Sequence, residues 1–224
     1  MSAARTARER VRAEMVREIT DIARAHLARE SAAGLSLRAI AREMGMASSA
    51  IHRYFPTKDD LLTALIIDGY TALGEAAEAS QKDTDAPADR WLALCHAVRD
   101  FAVARPHEYA LLYGSPVPGY QAPPDTVGPA LRTTLVCGRI IADARPTPPD
   151  LAPPPPAVIS PDIEAIRAVM PGVSDDAVTR AVTAWTALFG AISFELFGQF
   201  DNTITHRREF FDHGMRSLAR YLGL

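Results

Sequence analysis

The sequence predicts an all-α fold, with a head of short helices followed by a larger body of long ones. Three observations carry this expectation. Apolar residues recur at three- and four-residue spacing through most of the chain, Gly and Pro fall mainly between those stretches, and no stretch alternates apolar with polar between hairpin turns.

The first helix runs from about Arg8 to Ala32, with Met15, Ile19, Ile22 and His26 on one stripe, and Gly34 ends it. Ser36 stands as an N-cap before a short helix, Leu37 to Met44. Gly45 separates it from a second short helix, Ser48 to Tyr54, which Pro56 stops. Thr57 to Asp60 reads as a Thr-x-x-Asp capping box opening a long helix to about Gln81. Further helices are expected at Pro87–Arg105, with Trp91, Leu94, Val98 and Phe101 aligned, and at Pro106–Tyr113. A Gly/Pro-rich loop leads to a helix over Thr126–Ala144. The Pro-rich stretch from Arg145 to Pro161, with Pro153 to Pro156 unbroken, reads as an extended linker. Two strong helices, Ser174–Gln199 and Thr205–Leu222, end the chain. The expected division is a head over residues 1–57 and a body over 58–224.

Composition bounds the function. Of 24 basic and 27 acidic residues, 11 and 8 fall in residues 1–60, leaving 13 and 19 for the rest. A mildly basic head on an acidic body suits local contact with a polyanion, because only the contacting face must be positive. No apolar run approaches membrane-span length and Met1 to Arg12 lacks a secretory apolar core, so no membrane partner is expected and the protein is expected in the cytoplasm. Cys95 and Cys137 belong to no metal-spaced set and read as small buried apolar residues.

The informative segment is Leu37-Arg-Ala-Ile-Ala-Arg-Glu-Met-Gly-Met-Ala-Ser-Ser-Ala-Ile-His-Arg-Tyr-Phe55. Two helices of about two turns joined through Gly45 have helix-turn-helix proportions. Gly supplies a backbone angle that other residues resist. Ile40, Ala41 and Ile51 are placed to bury the pair, which leaves Ser48, Ser49, His52 and Arg53 on the outer face of the second helix. Short hydroxyls there allow close approach to base edges, and the longer donors reach bases or phosphates. Lys58 opens the next helix, where ammonium and helix amides meet one phosphate. Arg5, Arg8, Arg10 and Arg12 read as a loose basic arm.

Phe55-Pro-Thr-Lys-Asp-Asp-Leu-Leu62, preceded by Arg38-Ala-Ile-Ala-Arg-Glu-Met-Gly45, resembles the DNA-binding domain of the TetR family of regulators over roughly residues 10–62. The resemblance implies an N-terminal three-helix DNA-binding domain and a larger helical ligand-binding and dimerisation domain. By it, Ser36, Arg38, Ser48, Ser49, His52, Arg53, Tyr54 and Lys58 face a double-stranded operator, with Ser48 to Tyr54 as recognition helix. Two departures from the family pattern stand out. Ala47 stands where Ser or Thr is usual, leaving Ser48 to cap the helix, and His52 and Tyr54 exchange the usual Tyr and His. Tyr113-Gly-Ser-Pro-Val-Pro-Gly-Tyr120 and Trp185-Thr-Ala-Leu-Phe-Gly190 are similar to a subgroup with a Trp-His-Gly signature, Phe189 occupying the His position.

The resemblance also implies a homodimer through the last two helices, with Trp185, Phe189, Ile192, Leu196, Phe211, Met215 and Leu218 at the interface. Filling one protomer's core is the competing role of these side chains. Between head and dimer, Trp91, Phe101, Tyr109 and Tyr113 are expected to hold a small-molecule effector of unspecified identity, with His96, Arg99 or Tyr109 fixing its orientation; plain core is again the alternative. An enzyme is not expected. The histidines are scattered, and no zinc-protease, nucleophile-elbow, P-loop or dinucleotide fingerprint occurs, so no catalytic residue, metal or cofactor is assigned. A helical module that binds protein without touching DNA is the remaining alternative.

Overall fold

In the computed structural model, residues 7–82, 86–147, 149 and 155–224 are described, and among them every regular element is helical. The helices are α1 (Ala7–Gly34), α2 (Leu37–Glu43), α3 (Ser48–Ile51), α4 (Lys58–Ala79), α5 (Pro87–Ala104), α6 (Pro106–Tyr113), α7 (Val127–Ala144), α8 (Ser160–Arg167), α9 (Asp175–Leu196) and α10 (Arg207–Leu222). The chain divides into two compact units, one running to Tyr70 and including Arg105–Pro129, the other comprising Thr71–Ala104 and Ala130–Leu224.

In the first unit the stripe of α1 (Ile19, Ala23, Leu27) meets Ile40 and Ala41 of α2, Ile51 of α3 and Leu61, Leu62 and Leu65 of α4 in one buried cluster. Ile40, Ala41 and Ile51 are fully buried, as their spacing requires. Leu111 of α6 and Tyr120 pack against the rim of the same cluster. Burial in a shared cluster of this kind fixes short helices that could not hold themselves in water.

In the second unit Trp91 of α5 is fully buried, and its indole N–H donates to the Met215 carbonyl of α10 at 3.0 Å. Arg99 grips Glu195 of α9 through Nε (2.8 Å) and Nη2 (2.5 Å), both side chains buried. Cys95 and Cys137 are free and buried, and desolvation pushes the Cys95 thiol up and the Cys137 thiol to about 12.

Four expectations need correction. Helix α1 begins by Ala7, so Arg8, Arg10 and Arg12 stand on its first turns instead of forming a loose arm, and Arg5 lies outside the described residues. The linker ends sooner than Pro161: Pro155 and Pro156 are irregular, a 3₁₀ turn covers Ala157–Ile159, and α8 follows with Pro161 in its first turn. Pro153 and Pro154 lie outside the described residues. Helix α3 is shorter than Ser48 to Tyr54, because Arg53 and Tyr54 close tighter bonds to Ala50 and Ile51 three residues back. Finally, α9 is long and apolar enough to cross a membrane by length and composition, so a run of that length does exist. It buries Arg180 and Glu195 among its own unit's ion pairs.

Candidate nucleic-acid interface

Ser36 caps α2 as expected. Its backbone is extended (φ −136°, ψ 117°) and its hydroxyl accepts from the Ala39 amide at 3.4 Å. At the far end Gly45 takes φ +66°, the left-handed region that glycine reaches without steric cost, and the Met46 amide closes the turn on the Ala41 carbonyl at 2.9 Å. The N-cap of α3 is Ala47, with no side-chain cap bond, so Ser48 does not cap; it is the first helical residue. Its hydroxyl stays exposed beside that of Ser49.

The outer face carries Ser48, Ser49, His52 and Arg53, all exposed, and Arg38 is exposed on α2. His52 Nδ1 lies 2.9 Å from the Pro56 carbonyl. A carbonyl only accepts, so Nδ1 carries the proton and Nε2 is the outward acceptor of the neutral ring. Tyr54 is half-buried beneath Arg12, whose guanidinium sits 5.5 Å from the ring centroid and donates to the Arg53 carbonyl at 2.9 Å. The start of α1 is thereby stitched to the end of the turn after α3.

Lys58 is placed between two helix ends. Its ammonium donates to the Ala33 carbonyl at 2.6 Å, in the short last segment of α1 beyond the non-helical Ser31. Its own helix begins with a reciprocal cap: the Thr57 amide donates to Asp60 at 2.9 Å and the Asp60 amide to the Thr57 hydroxyl at 3.1 Å. A further strap joins α1 to α2. Buried His26 Nε2 meets Glu43 at 2.8 Å, and that hydrogen bond holds the Glu43 carboxyl below its ordinary range. Arg12, His26 and Lys58 all make bonds of long sequence separation that spacing along one helix does not reveal. A short apolar stripe and the bare hydroxyls did signal the α3 face.

The residues expected around an effector sit in their own units. Trp91 and Tyr109 are fully buried and Phe101 nearly so. Tyr113 is half-buried, packs edge-on to Tyr70 (5.9 Å, 89°) and lies 5.2 Å from Tyr109; burial pushes its phenol up. A separate cleft of about 600 Å³ opens in the first unit, with Ala28 and Ala32 of α1 on one wall and Ala110 and Val117 on the other. Of the expected interface side chains, Ile192, Phe211 and Met215 are buried within the protomer. Trp185 and Phe189, in edge contact at 4.9 Å, are half-exposed, as are Leu196 and Leu218. The neighbouring Val182, Phe194, Phe197 and Phe210 are exposed by 39 to 54%. No cluster suited to a metal ion occurs among the described residues.

An exposed α3 backed by a three-helix core defines a helix-turn-helix regulator of transcription. Comparison with known proteins places it further. The family of bacterial regulatory proteins, tetR family, matches residues 19–65, and the tetracyclin repressor-like C-terminal domain matches residues 91–218. The chain is 42% identical to the HTH-type transcriptional regulator Rv1816 of Mycobacterium tuberculosis, over 97% of this chain and 94% of that protein. The fold is similar to that of the regulatory protein SCO4313 (TM-score 0.79, 32% identity, 95% of this chain and 98% of that one). It is also similar to a Rhodococcus protein of unknown function (TM-score 0.70, 25% identity, 93% and 95%). The chain belongs to the TetR family of transcriptional regulators.

Proposed function

We propose that the protein is a homodimeric repressor that binds a palindromic operator and leaves it when a small molecule binds, acting in the cytoplasm where its DNA lies. The observation that carries the reading is the outer face of α3, where Ser48, Ser49 and Arg53 stand exposed on a helix that fully buried Ile51 anchors from behind. In this reading Ser48 and Ser49 approach base edges, Arg38 and Arg53 reach bases or phosphates, and Lys58 meets a phosphate at the start of α4. Ser36, His52 and Tyr54 act by holding that surface, through the cap, the Pro56 carbonyl and the stack under Arg12.

A dimer is required because one short helix reads too few base pairs, and two-fold pairing doubles the site. The exposed apolar face of α9 and α10 supports it: Val182, Phe194, Phe197 and Phe210 are large and keep 39 to 54% of their surface exposed, and Gly190 meets open space that a second helix can enter. Trp185, Phe189 and Gly190 on that face carry the likeness to the Trp-His-Gly subgroup, with Phe189 in the place of the His. Of the four residues first expected at the effector, Tyr113 keeps partial access, while Trp91, Phe101 and Tyr109 fill interiors.

The test is selection of genomic fragments by the purified protein, followed by mobility shift of the enriched fragments across a salt series. Saturable retardation that survives competitor DNA, at a sequence with two-fold symmetry, is the expected result. Retardation that is weak, unsaturable and abolished equally by any competitor overturns the reading.

A further inference from the structure

We infer that the cleft between α1 and the segment following α6 binds a small amphipathic acid, one carboxylate on a medium-length aliphatic chain, a ligand that a volume of about 600 Å³ accommodates. The inference rests on the proposed regulator only in its second half, that occupancy of the cleft weakens operator binding through Lys58.

The cleft lies wholly within the first unit, and its volume of about 600 Å³ falls in the range of small-molecule sites. It is open because its walls are built of small side chains: Ala28, Ala32 and Ala33 on α1, Ala110 on α6, and Ser115 beyond it. Its apolar lining includes Leu27, buried in the core of the head, with Leu111 and Val117 packed against that core. An aliphatic chain laid there covers apolar surface that water now meets, at roughly 25 cal/mol per Å².

The rim supplies the other half of the ligand. Arg29 and His107 line the same cleft and both are exposed. Among the described residues the Arg29 guanidinium contacts a single carboxylate, Glu43, at 3.5 Å. That carboxylate is already engaged by His26 at 2.8 Å, so most of the five Arg29 N–H donors remain for a second anion. A carboxylate head matches this fork as a neutral or cationic head does not.

The wall is also connected to the reading surface. Ser31, which lines the cleft, leaves helical geometry (φ 59°, ψ 172°), so the last residues of α1 form a separate short segment. Ala33 of that segment both lines the cleft and accepts the Lys58 ammonium at 2.6 Å. A ligand seated against Ala32 and Ala33 fixes that carbonyl where Lys58 holds it. It thereby retains the ammonium at α1 when a phosphate competes for it.

Isothermal titration of the full protein with octanoate, octanol and octylamine tests the site without DNA. Octanoate is expected to bind roughly tenfold or more tighter than either, the worth of one charge-assisted hydrogen bond. Ala28→Trp and Ser115→Trp fill the cleft from opposite walls at exposed positions and are expected to abolish binding, while Ala25→Trp, exposed on α1 outside the cleft, leaves it intact. Equal affinity for the three probes, or octanoate binding that survives both filling variants, overturns the site. With a selected operator, octanoate is expected to lower DNA affinity in the wild type but not in Ala28→Trp; unchanged affinity overturns the coupling. If the wild type retains no operator at all, the regulatory reading fails, and the titration still decides the cleft by itself.

Discussion

Lys58 stands where two roles meet, and one substitution separates them. In the free protein its ammonium caps the end of α1 through the Ala33 carbonyl. On DNA it is assigned a phosphate at the start of α4. Lys58→Met keeps most of the aliphatic stem and removes the charge. Losing that exposed hydrogen bond costs about 0.5–1.5 kcal/mol, which for a chain of this size lowers Tm by a few degrees at most. The effect on DNA is larger and has a different signature. In a two-fold dimer the substitution deletes two phosphate contacts, and the slope of log K against log salt falls by about 0.9 for each, or ~1.8 in all. Between 50 and 200 mM salt, a fourfold change, the penalty relative to wild type therefore shrinks by roughly twelvefold. Fluorescence anisotropy on a selected operator at several salt concentrations measures both slopes. Parallel lines, with only the small loss of Tm, would refute the phosphate role and leave Lys58 as a strap between α1 and α4.

The remaining predictions concern the body. Phe194→Asp with Phe210→Asp, both about half exposed, is expected to give folded monomers by analytical ultracentrifugation; a dimer of unchanged affinity would move the interface elsewhere. Glu195→Gln leaves the buried Arg99 guanidinium with only the longer, half-exposed contact to Asp100 at 3.7 Å and is expected to lose about 3 kcal/mol in urea unfolding, while replacing both Arg99 and Glu195 by Met costs far less. The buried thiols make stability fall in alkali. A thiol whose folded pKa lies above its unfolded value contributes stability that is complete below about pH 8.5 and is lost as pH rises toward the folded value, about 12 for Cys137. Cys95→Ala with Cys137→Ala should remove that part of the slope, about 1.4 kcal/mol per pH unit for each thiol; an identical alkaline slope in the variant contradicts the assignment.

Local chemistry was legible in the sequence, and contacts across long separations were not. Gly45 at φ +66°, the Ser36 cap and the reciprocal Thr57–Asp60 cap each depend on residues within four positions, and each appears where its residue types demand. Pro106 opens α6 for the same reason. Helix α8 was hidden by the proline run before it, although Ile159, Ile163 and Ile166 keep helical spacing and Pro161 is a good first-turn residue. The apolar faces of α9 and α10 were visible as stripes, but a stripe does not say what covers it. Ile192, Phe211 and Met215 proved to be core, whereas Phe194, Phe197 and Phe210, beside them in sequence, are open. The cleft was invisible because its walls come from α1 and α6, more than seventy residues apart, and are defined by side chains too small to draw attention.

The candidate DNA surface divides along the same line. Ser36, His52, Tyr54 and Lys58 each have an internal partner, so their positions are fixed before DNA arrives. Ser48, Ser49, Arg38 and Arg53 are exposed, and in the proposed reading their side chains are the ones left to meet the operator. Such a division suits recognition, since a fixed frame reduces the ordering cost of binding while the exposed set supplies the discrimination. It also assigns His52 a definite chemistry. With Nδ1–H committed to the Pro56 carbonyl, Nε2 is left to accept a hydrogen bond from a donor on a base edge. A His52→Gln variant offers an amide that both donates and accepts. Operator selection with the variant is expected to return an altered base preference at the position Nε2 faces; an unchanged selected sequence would leave His52 as part of the frame alone.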